Sequence, residues 1–275
     1  MHDAQSRLAD TPWCYQPARP HLRDYAPEVD DAGELPPLQS AIEDIGEYQR
    51  RLWANGKNSL LLVVHGPDAS GKDSLIRTLA TYMDPAGFHS WSFSRPEGAE
   101  TRHDFLWRVS PLLPGFGEVS AFNRSHHEAV IAERAWPTRP PEEYDWQQRY
   151  ASLRHFEQHL VGEGTAIIKC WLQLSDEEHR RRLLKRLDAP RKQWKFDSSD
   201  IESWKRRGEL VQYAGEAIAA THTPEAPWLI VPADRKPVAR AIVARVVADQ
   251  LMALAPAYPT PDQAFLTRYR AMLEQ

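Results

Sequence analysis

The sequence predicts an α/β three-layer sandwich: a five-stranded parallel sheet with helices on both faces and a helical lid. Three observations carry this. Five short apolar runs are nearly continuous in hydrophobicity, as strands buried on both faces of a parallel sheet are. The segments between them are long enough for crossover helices. The first run leads directly into a glycine-rich loop and then into a helical pattern.

Residues 1–35 are rich in Pro and Asp with little apolar periodicity, and predict an irregular N-terminal arm. The remaining residues, 36–275, are expected to form a single domain with a lid at about 176–200. From Pro37 to Asn55, Leu38, Ile42, Ile45, Tyr48 and Leu52 recur at helical spacing. The strand-like runs are Ser59–His65, His89–Phe93, Glu118–Phe122, Thr165–Leu174 and Trp228–Val231. Candidate helices are Lys72–Tyr82, Glu100–Leu112, Ser125–Ala135, Pro141–Val161, Asp176–Leu187, Ser199–Ala220 and Pro237–Ala253, with Asp262–Leu273 as a terminal helix.

Composition narrows the function classes. Net charge is −4, which argues against general nucleic-acid binding, usually the work of a basic domain. It does not exclude a polyanionic small substrate, because a local cationic groove is enough to focus one. No apolar run approaches the roughly 20 residues of a membrane span, and the N-terminus lacks a secretory pattern, so cytosol is the expected location. Cys14 and Cys170 are the only cysteines and suggest no disulfide framework.

Gly66-Pro67-Asp68-Ala69-Ser70-Gly71-Lys72-Asp73 matches G-x-x-x-x-G-K, the phosphate-cradling P-loop. Gly66 and Gly71 let the loop wrap closely. The backbone N–H groups around Ala69 and Ser70 then face an anion at a helix N-terminus. Lys72 supplies a point charge for a phosphoryl oxygen. Asp73 stands where Ser or Thr would bind magnesium, and Ser74 follows it. Asp68 puts a carboxylate inside the loop, which is costly beside phosphates unless a metal ion lies between. Asp68 is therefore expected to help hold Mg²⁺. For Asp73, helix capping remains an equal explanation.

Phe122-Asn123-Arg124-Ser125 ends the third strand, where P-loop folds commonly place a polar group beside the metal. Asn123 would serve through its carbonyl oxygen or a bound water, and Arg124 would reach the transferred phosphate. His179–Lys195 holds eight Lys or Arg and one acid, Asp188. Arg182 and Arg186 are four apart and share a helix face. A basic run of this kind is often only a solvated helix, but its place after the fourth strand is where P-loop kinases carry a mobile lid.

Taken together, these residues resemble the polyphosphate kinase 2 family, over a span from about Trp53 to Arg240. The likeness lies in GPDASGKD (Gly66–Asp73), HDFLWR (His103–Arg108), FNRSHHEAV (Phe122–Val130), LSDEEHRRRLLKRLDAPRKQWKF (Leu174–Phe196) and APWLIVPADRK (Ala226–Lys236). The resemblance implies a three-layer P-loop kinase sandwich that moves phosphoryl groups between inorganic polyphosphate and purine nucleotides, with Mg²⁺, or Mn²⁺ in its place. It also implies a homo-oligomer, dimer or tetramer. Carried over residue by residue, it gives Asp68, Lys72, Arg124, Arg182 and Arg186 catalytic roles. Substrate contacts fall to Asp73, Ser74, Arg95, Arg108, Glu128, Lys192 and Lys195 beside the loop residues Gly66, Ala69, Ser70 and Gly71. Metal contacts fall to Asp68 and Asn123. FNRSH followed by Glu128 is similar to members acting on both nucleoside mono- and diphosphates.

The departures are local. His127 and Ala129 stand where a Tyr and an Asp are usual, Ser94-Arg95 displaces a basic residue by one, and Arg207 and Leu210 replace a Trp and a Tyr. They are expected to alter nucleotide or chain-length preference. Two other readings compete: an ATP-dependent kinase of a small molecule or nucleotide, and a regulator that binds nucleotide or polyphosphate without turnover.

Overall fold

The computed structural model describes residues 8–29, 37–254 and 256–274. Its order is α1 (Leu38–Asn55), β1 (Ser59–His65), α2 (Lys72–Leu79), β2 (Phe88–Ser92), β3 (Val119–Asn123), α3 (Trp146–Gly162), β4 (Thr165–Gln173), α4 (Asp176–Asp188), α5 (Ser198–Lys205), α6 (Arg207–Thr221), β5 (Trp228–Pro232), α7 (Lys236–Ala253) and α8 (Gln263–Leu273), with short helical turns between. The strands form one sheet in the order β2-β3-β1-β4-β5. Every pairing is parallel.

Alternation along β1 divides the core. Leu60, Leu62 and Val64 pack with residues of α1, α2 and α7 on one face of the sheet. Leu61 and Val63 pack on the other face with residues of α3 and α6. All seven residues of β1 are buried, as a central parallel strand requires. Because β1 lies between β3 and β4, the ends of β1 and β3 open together at the carboxyl edge, where doubly wound sheets bind ligands.

Five expected helices differ from the structure by more than one residue at an end. In Lys72–Tyr82 the α-helix stops at Leu79 and a 3-10 turn follows, and Pro141–Val161 is a 3-10 turn, Pro141–Glu143, before the helix Trp146–Gly162. Glu100–Leu112 is not one helix but two 3-10 turns, Gly98–Arg102 and Ser110–Leu112. Asp104 accepts from the Leu106 N–H, a side-chain turn that competes with the helix ladder, and Pro111 lacks a donor. Ser125–Ala135 is a 3-10 turn, His126–Ala129, followed by one helical turn, Ala132–Ala135. Ser199–Ala220 is two helices that meet at Arg206, the first capped by Asp197.

The arm expected over residues 1–35 is described for 8–29 only. That part is irregular apart from helical Leu8 and Ala9 and a 3-10 turn at Leu22–Asp24. It is nonetheless part of the core, since Leu8, Cys14, Tyr15 and Leu22 are all buried. Cys14 bridges antiparallel to Leu229. The Tyr15 N–H donates to the Trp228 carbonyl at 2.8 Å, and the Ile230 N–H to the Trp13 carbonyl at 2.7 Å.

Candidate active site

The P-loop follows β1 through three residues of positive φ: Gly66 at 148°, Ala69 at 60° and Gly71 at 112°. At Gly66 a Cβ would stand 3.0 Å from both Cβ and O of Leu172, so a side chain there would push the loop off β4. Lys72 is buried, and its Nζ donates to the carbonyls of Gly66 at 2.8 Å and Pro67 at 2.9 Å. Burial, reinforced by the Arg124 guanidinium, pulls the Lys72 ammonium down to about 8. An anion in the loop would give this poorly solvated charge a partner.

Arg124 takes φ 63° just past β3. A non-glycine residue there carries about 1–3 kcal/mol of strain, a cost that concentrates at functional sites. Its Nη2 meets Asp68 Oδ1 at 2.6 Å. Burial alone would raise the Asp68 carboxyl, but Arg124, Lys72 and a Ser203 hydrogen bond outweigh it and keep it ionised. Asp73 Oδ1 accepts from Asn123 Nδ2 at 2.6 Å, and Asp73 Oδ2 from Lys195 Nζ at 2.9 Å. These contacts hold the Asp73 carboxyl below its ordinary value against burial. Asp68, Asp73 and Asn123 carry oxygens of the hard type that divalent cations take, and in this structure Asp68 is paired with Arg124 and Asp73 with Asn123 Nδ2 and Lys195.

Behind the loop, Glu128 Oε1 lies 3.3 Å from His65 Nδ1, and His65 Nε2 is 2.8 Å from Ser125 Oγ. Burial would raise the Glu128 carboxyl, but His65 and Arg124 hold it ionised. An ionised Glu128 only accepts, so His65 Nδ1 donates and its Nε2 accepts from the Ser125 hydroxyl. Deeper still, Glu157 Oε1 lies 3.1 Å from His126 Nε2 and 2.8 Å from His127 Nε2. This is the only group of three such residues with metal-ligand spacing among the described residues. Lys169 Nζ already balances its charge, at 2.5 Å from Glu157 Oε2. The cluster is a buried ion network beneath the site.

The basic segment divides in two. Arg182 is buried under the P-loop. Its Nη1 donates to the Ser70 carbonyl at 2.6 Å, its Nη2 to the Ala233 and Asp234 carbonyls at 2.6 and 2.8 Å, and its Nε to Glu178 at 2.6 Å. Arg186 pairs with both oxygens of Asp200 at 2.7 Å, joining α4 to α5. Lys192 and Lys195 lie beyond α4. Burial and the crowd of Lys185, Arg191, Arg186 and Lys195 pull the Lys192 ammonium below its ordinary value.

A cavity of about 540 Å³ runs outward from Gly66, Asp68, Arg124 and Glu128 to Glu133, Trp136 and Thr138. Arg95 and Arg108 line it. Arg95 lies over Trp136, while Arg108 donates to the Ser94 carbonyl at 2.8 Å. A second hollow of about 290 Å³, between Asp73, Arg77, Ser90 and Asn123, shares no lining residue with the first. Ser74 Oγ does not face outward; it donates to the Gly71 carbonyl at 2.9 Å.

Sequence reasoning missed several residues. His65 and Ser203 flank Glu128 and Asp68, and Lys236 Cε would be 3.6 Å from a Cβ at Gly71. Burial, together with Arg182, pulls Lys236 down to about 8. The available signal was a lysine in the first turn of a helix, where cations are unfavourable.

Residues 30–257 match the family model described as Polyphosphate kinase 2 (PPK2). The chain is 38% identical over 234 residues to an AMP/ADP-polyphosphate phosphotransferase of Meiothermus ruber, covering 82% of this chain and 86% of that one. It is 36% identical over 237 residues to an ADP-polyphosphate phosphotransferase of Rhodopseudomonas palustris, covering 82% of each. The crystal structure of polyphosphate kinase 2 from Arthrobacter aurescens TC1 superposes with a TM-score of 0.86 at 29% identity, over 96% of this chain and 99% of that one. Among the described residues, no helix is long and apolar enough to cross a membrane.

Proposed function

The chain belongs to the polyphosphate kinase 2 family, and from that premise we propose that it transfers phosphoryl groups reversibly between inorganic polyphosphate and nucleoside mono- or diphosphates, forming ADP and ATP or GDP and GTP. The observation that carries the reading is the Asp68–Arg124 pair beside buried Lys72, at the inner end of a cavity large enough for a nucleotide.

The two sides of the loop suit different substrates. The larger cavity carries Glu97, Glu100, Asp104 and Glu133 with Phe105 and Trp136. Carboxylates repel a long polyanion but accept hydrogen bonds from ribose hydroxyls, and aromatic rings offer a surface to a base. The flank at Asp73 is crossed by Lys195, with Lys192 and Arg77 nearby on a cationic surface that can track polyphosphate.

In the forward direction an oxygen of the nucleotide's terminal phosphate attacks the terminal phosphorus of polyphosphate. The bridging P–O bond breaks, and its electron pair leaves on the shortened chain. Little covalent chemistry is asked of the protein; positioning and charge neutralisation lower the barrier. Lys72 and Arg124 face the transferring group. Arg182 holds the Ser70 carbonyl so that the loop's N–H groups keep their aim. A divalent cation, Mg²⁺ or in its place Mn²⁺, would be held by Asp68 and Asn123 and supplies further neutralisation of phosphoryl charge when bound.

A cytoplasmic homo-oligomer, dimer or tetramer, is the form we assign. The exposed Phe265, Leu266, Tyr269 and Met272 of α8 support a contact between copies. The deciding assay combines Mg²⁺ and polyphosphate with each of AMP, ADP, GMP and GDP, read by nucleotide separation, with ATP as the rival donor. Product formed from polyphosphate alone is expected. Turnover only with ATP as donor, or binding without turnover, would reject the proposal.

A further inference from the structure

His179 lies on α4 one turn before Arg182, on the helix face that meets the P-loop. It is 4% exposed, and its Nε2 has neither solvent nor a hydrogen-bond partner among the described residues. Its ring packs edge-on against Trp204, with centroids 5.1 Å apart, and Arg207 covers Trp204 at 4.1 Å. The imidazole is thus fixed in position without being satisfied. Leaving a buried polar group unpaired costs about 1–3 kcal/mol, and most such groups in folded proteins have partners.

The missing partner has a natural source, because His179 lines the large cavity. It shares the lining of that cavity with Gly66, Asp68 and Arg124, and Asp68 and Lys72 are among the charges acting on it. Burial pulls the imidazole below its ordinary value. The ring is therefore neutral near pH 7, offering one N–H donor and one acceptor nitrogen. Such a group can donate to a phosphoryl oxygen without adding another positive charge beside Lys72 and Arg124.

We propose that His179 contacts the nucleotide directly, donating a hydrogen bond to a phosphoryl oxygen of the nucleoside mono- or diphosphate in the large cavity. This rests on the assignment of that cavity to the nucleotide. Polyphosphate carries the same oxygens and is the competing source, but the cationic flank at Lys192 and Lys195 lies outside this cavity.

The test is calorimetric binding of ADP and, separately, of a short polyphosphate, both with Mg²⁺, to the full chain and to His179→Ala and His179→Gln, with melting temperatures for all three. Loss of a donor to a charged oxygen should weaken ADP binding by about tenfold or more in His179→Ala. Polyphosphate affinity and melting temperature should hold, and His179→Gln, which retains a donor, should recover most of the loss. Unchanged ADP affinity in His179→Ala would overturn the proposal. So would an equal weakening of both ligands, or a drop in melting temperature that accounts for the loss. Wild-type protein that binds ADP yet makes no product from polyphosphate would overturn the proposed reaction instead, leaving the binding comparison intact. No ADP binding to the wild type would overturn the cavity assignment and this inference with it.

Discussion

Arg182 Nη1 donates to the Ser70 carbonyl at 2.6 Å from beneath the P-loop, a contact across 112 positions of sequence. The same guanidinium holds the Ala233 and Asp234 carbonyls beyond β5. A helix residue that looks like part of a basic surface stripe is thus the brace between the phosphate loop and the far strand.

Arg182→Ala should therefore lower turnover by about 10²-fold or more and weaken both substrates, not polyphosphate selectively. It removes several charge-assisted bonds to buried carbonyls, at a cost of about 2–4 kcal/mol. Arg182→Lys should rescue poorly, since an ammonium cannot span the fork. Steady-state kinetics and chemical denaturation check this; Arg182→Ala with wild-type stability and only a raised polyphosphate KM would refute the brace.

Lys72→Ala should reduce turnover by about 10²–10³-fold with the fold intact, as expected for the removal of one charge-neutralising donor. Its Nζ donates to the Gly66 and Pro67 carbonyls. The result to look for is a well-folded variant, by circular dichroism, with product formation near background.

Asp68→Asn should change the Mg²⁺ dependence of turnover, and Asp73→Asn should change it less. Asp68 is paired with Arg124, whereas Asp73 is half exposed and also tied to the lid by Lys195. A magnesium titration of each variant distinguishes them; an unchanged curve for Asp68→Asn would remove it from the metal's surroundings.

The buried network should make the protein acid-sensitive. His127 is kept neutral by burial, with its value well below the ordinary one; the unfolded chain therefore takes up a proton below about 6.5 that the folded chain refuses. Burial would raise the Glu157 carboxyl, but Lys169 and His127 hold it far below its ordinary value. The unfolded chain therefore gains a second extra proton below about 4.3. Both groups contribute stability that is lost as pH falls. The melting temperature should drop between pH 7 and pH 5 and further below pH 4.5, and Glu157→Gln should melt lower even at pH 7, because it leaves Lys169 unpaired.

Lys192→Ala combined with Lys195→Ala should raise the polyphosphate KM by several-fold at low salt, with the gap to wild type narrowing as salt screens the attraction. Long chains should be affected more than short ones. Equal polyphosphate dependence at all salt concentrations would make the segment a solvated surface.

The five strands and the P-loop were legible because a buried parallel strand must be apolar throughout and because G-x-x-x-x-G-K has one structural reason. Glu100–Leu112 was not, since its apolar spacing imitates a helix while Asp104 and Pro111 hold it in turns. The roles of Arg182 and Arg186 were hidden for a different reason. Nothing local distinguishes an arginine that reaches a carbonyl of Ser70 or the carboxylate of Asp200 from one that faces solvent. His65 was equally silent, appearing only as the last residue of an apolar run.

The arm's bonds to β5 decide which side of the sheet is sealed. With Trp13 and Tyr15 exchanging backbone bonds with Ile230 and Trp228, the β5 rim carries a paired neighbour, while β2 at the opposite rim leaves Trp91 exposed. Clipping residues 1–15 would turn a finished margin into a sticky template of open backbone groups beside Trp228. Such a clipped chain should lose solubility through strand-to-strand aggregation before it loses its phosphate loop, because among the described residues no hydrogen bond joins that loop to residues 8–15.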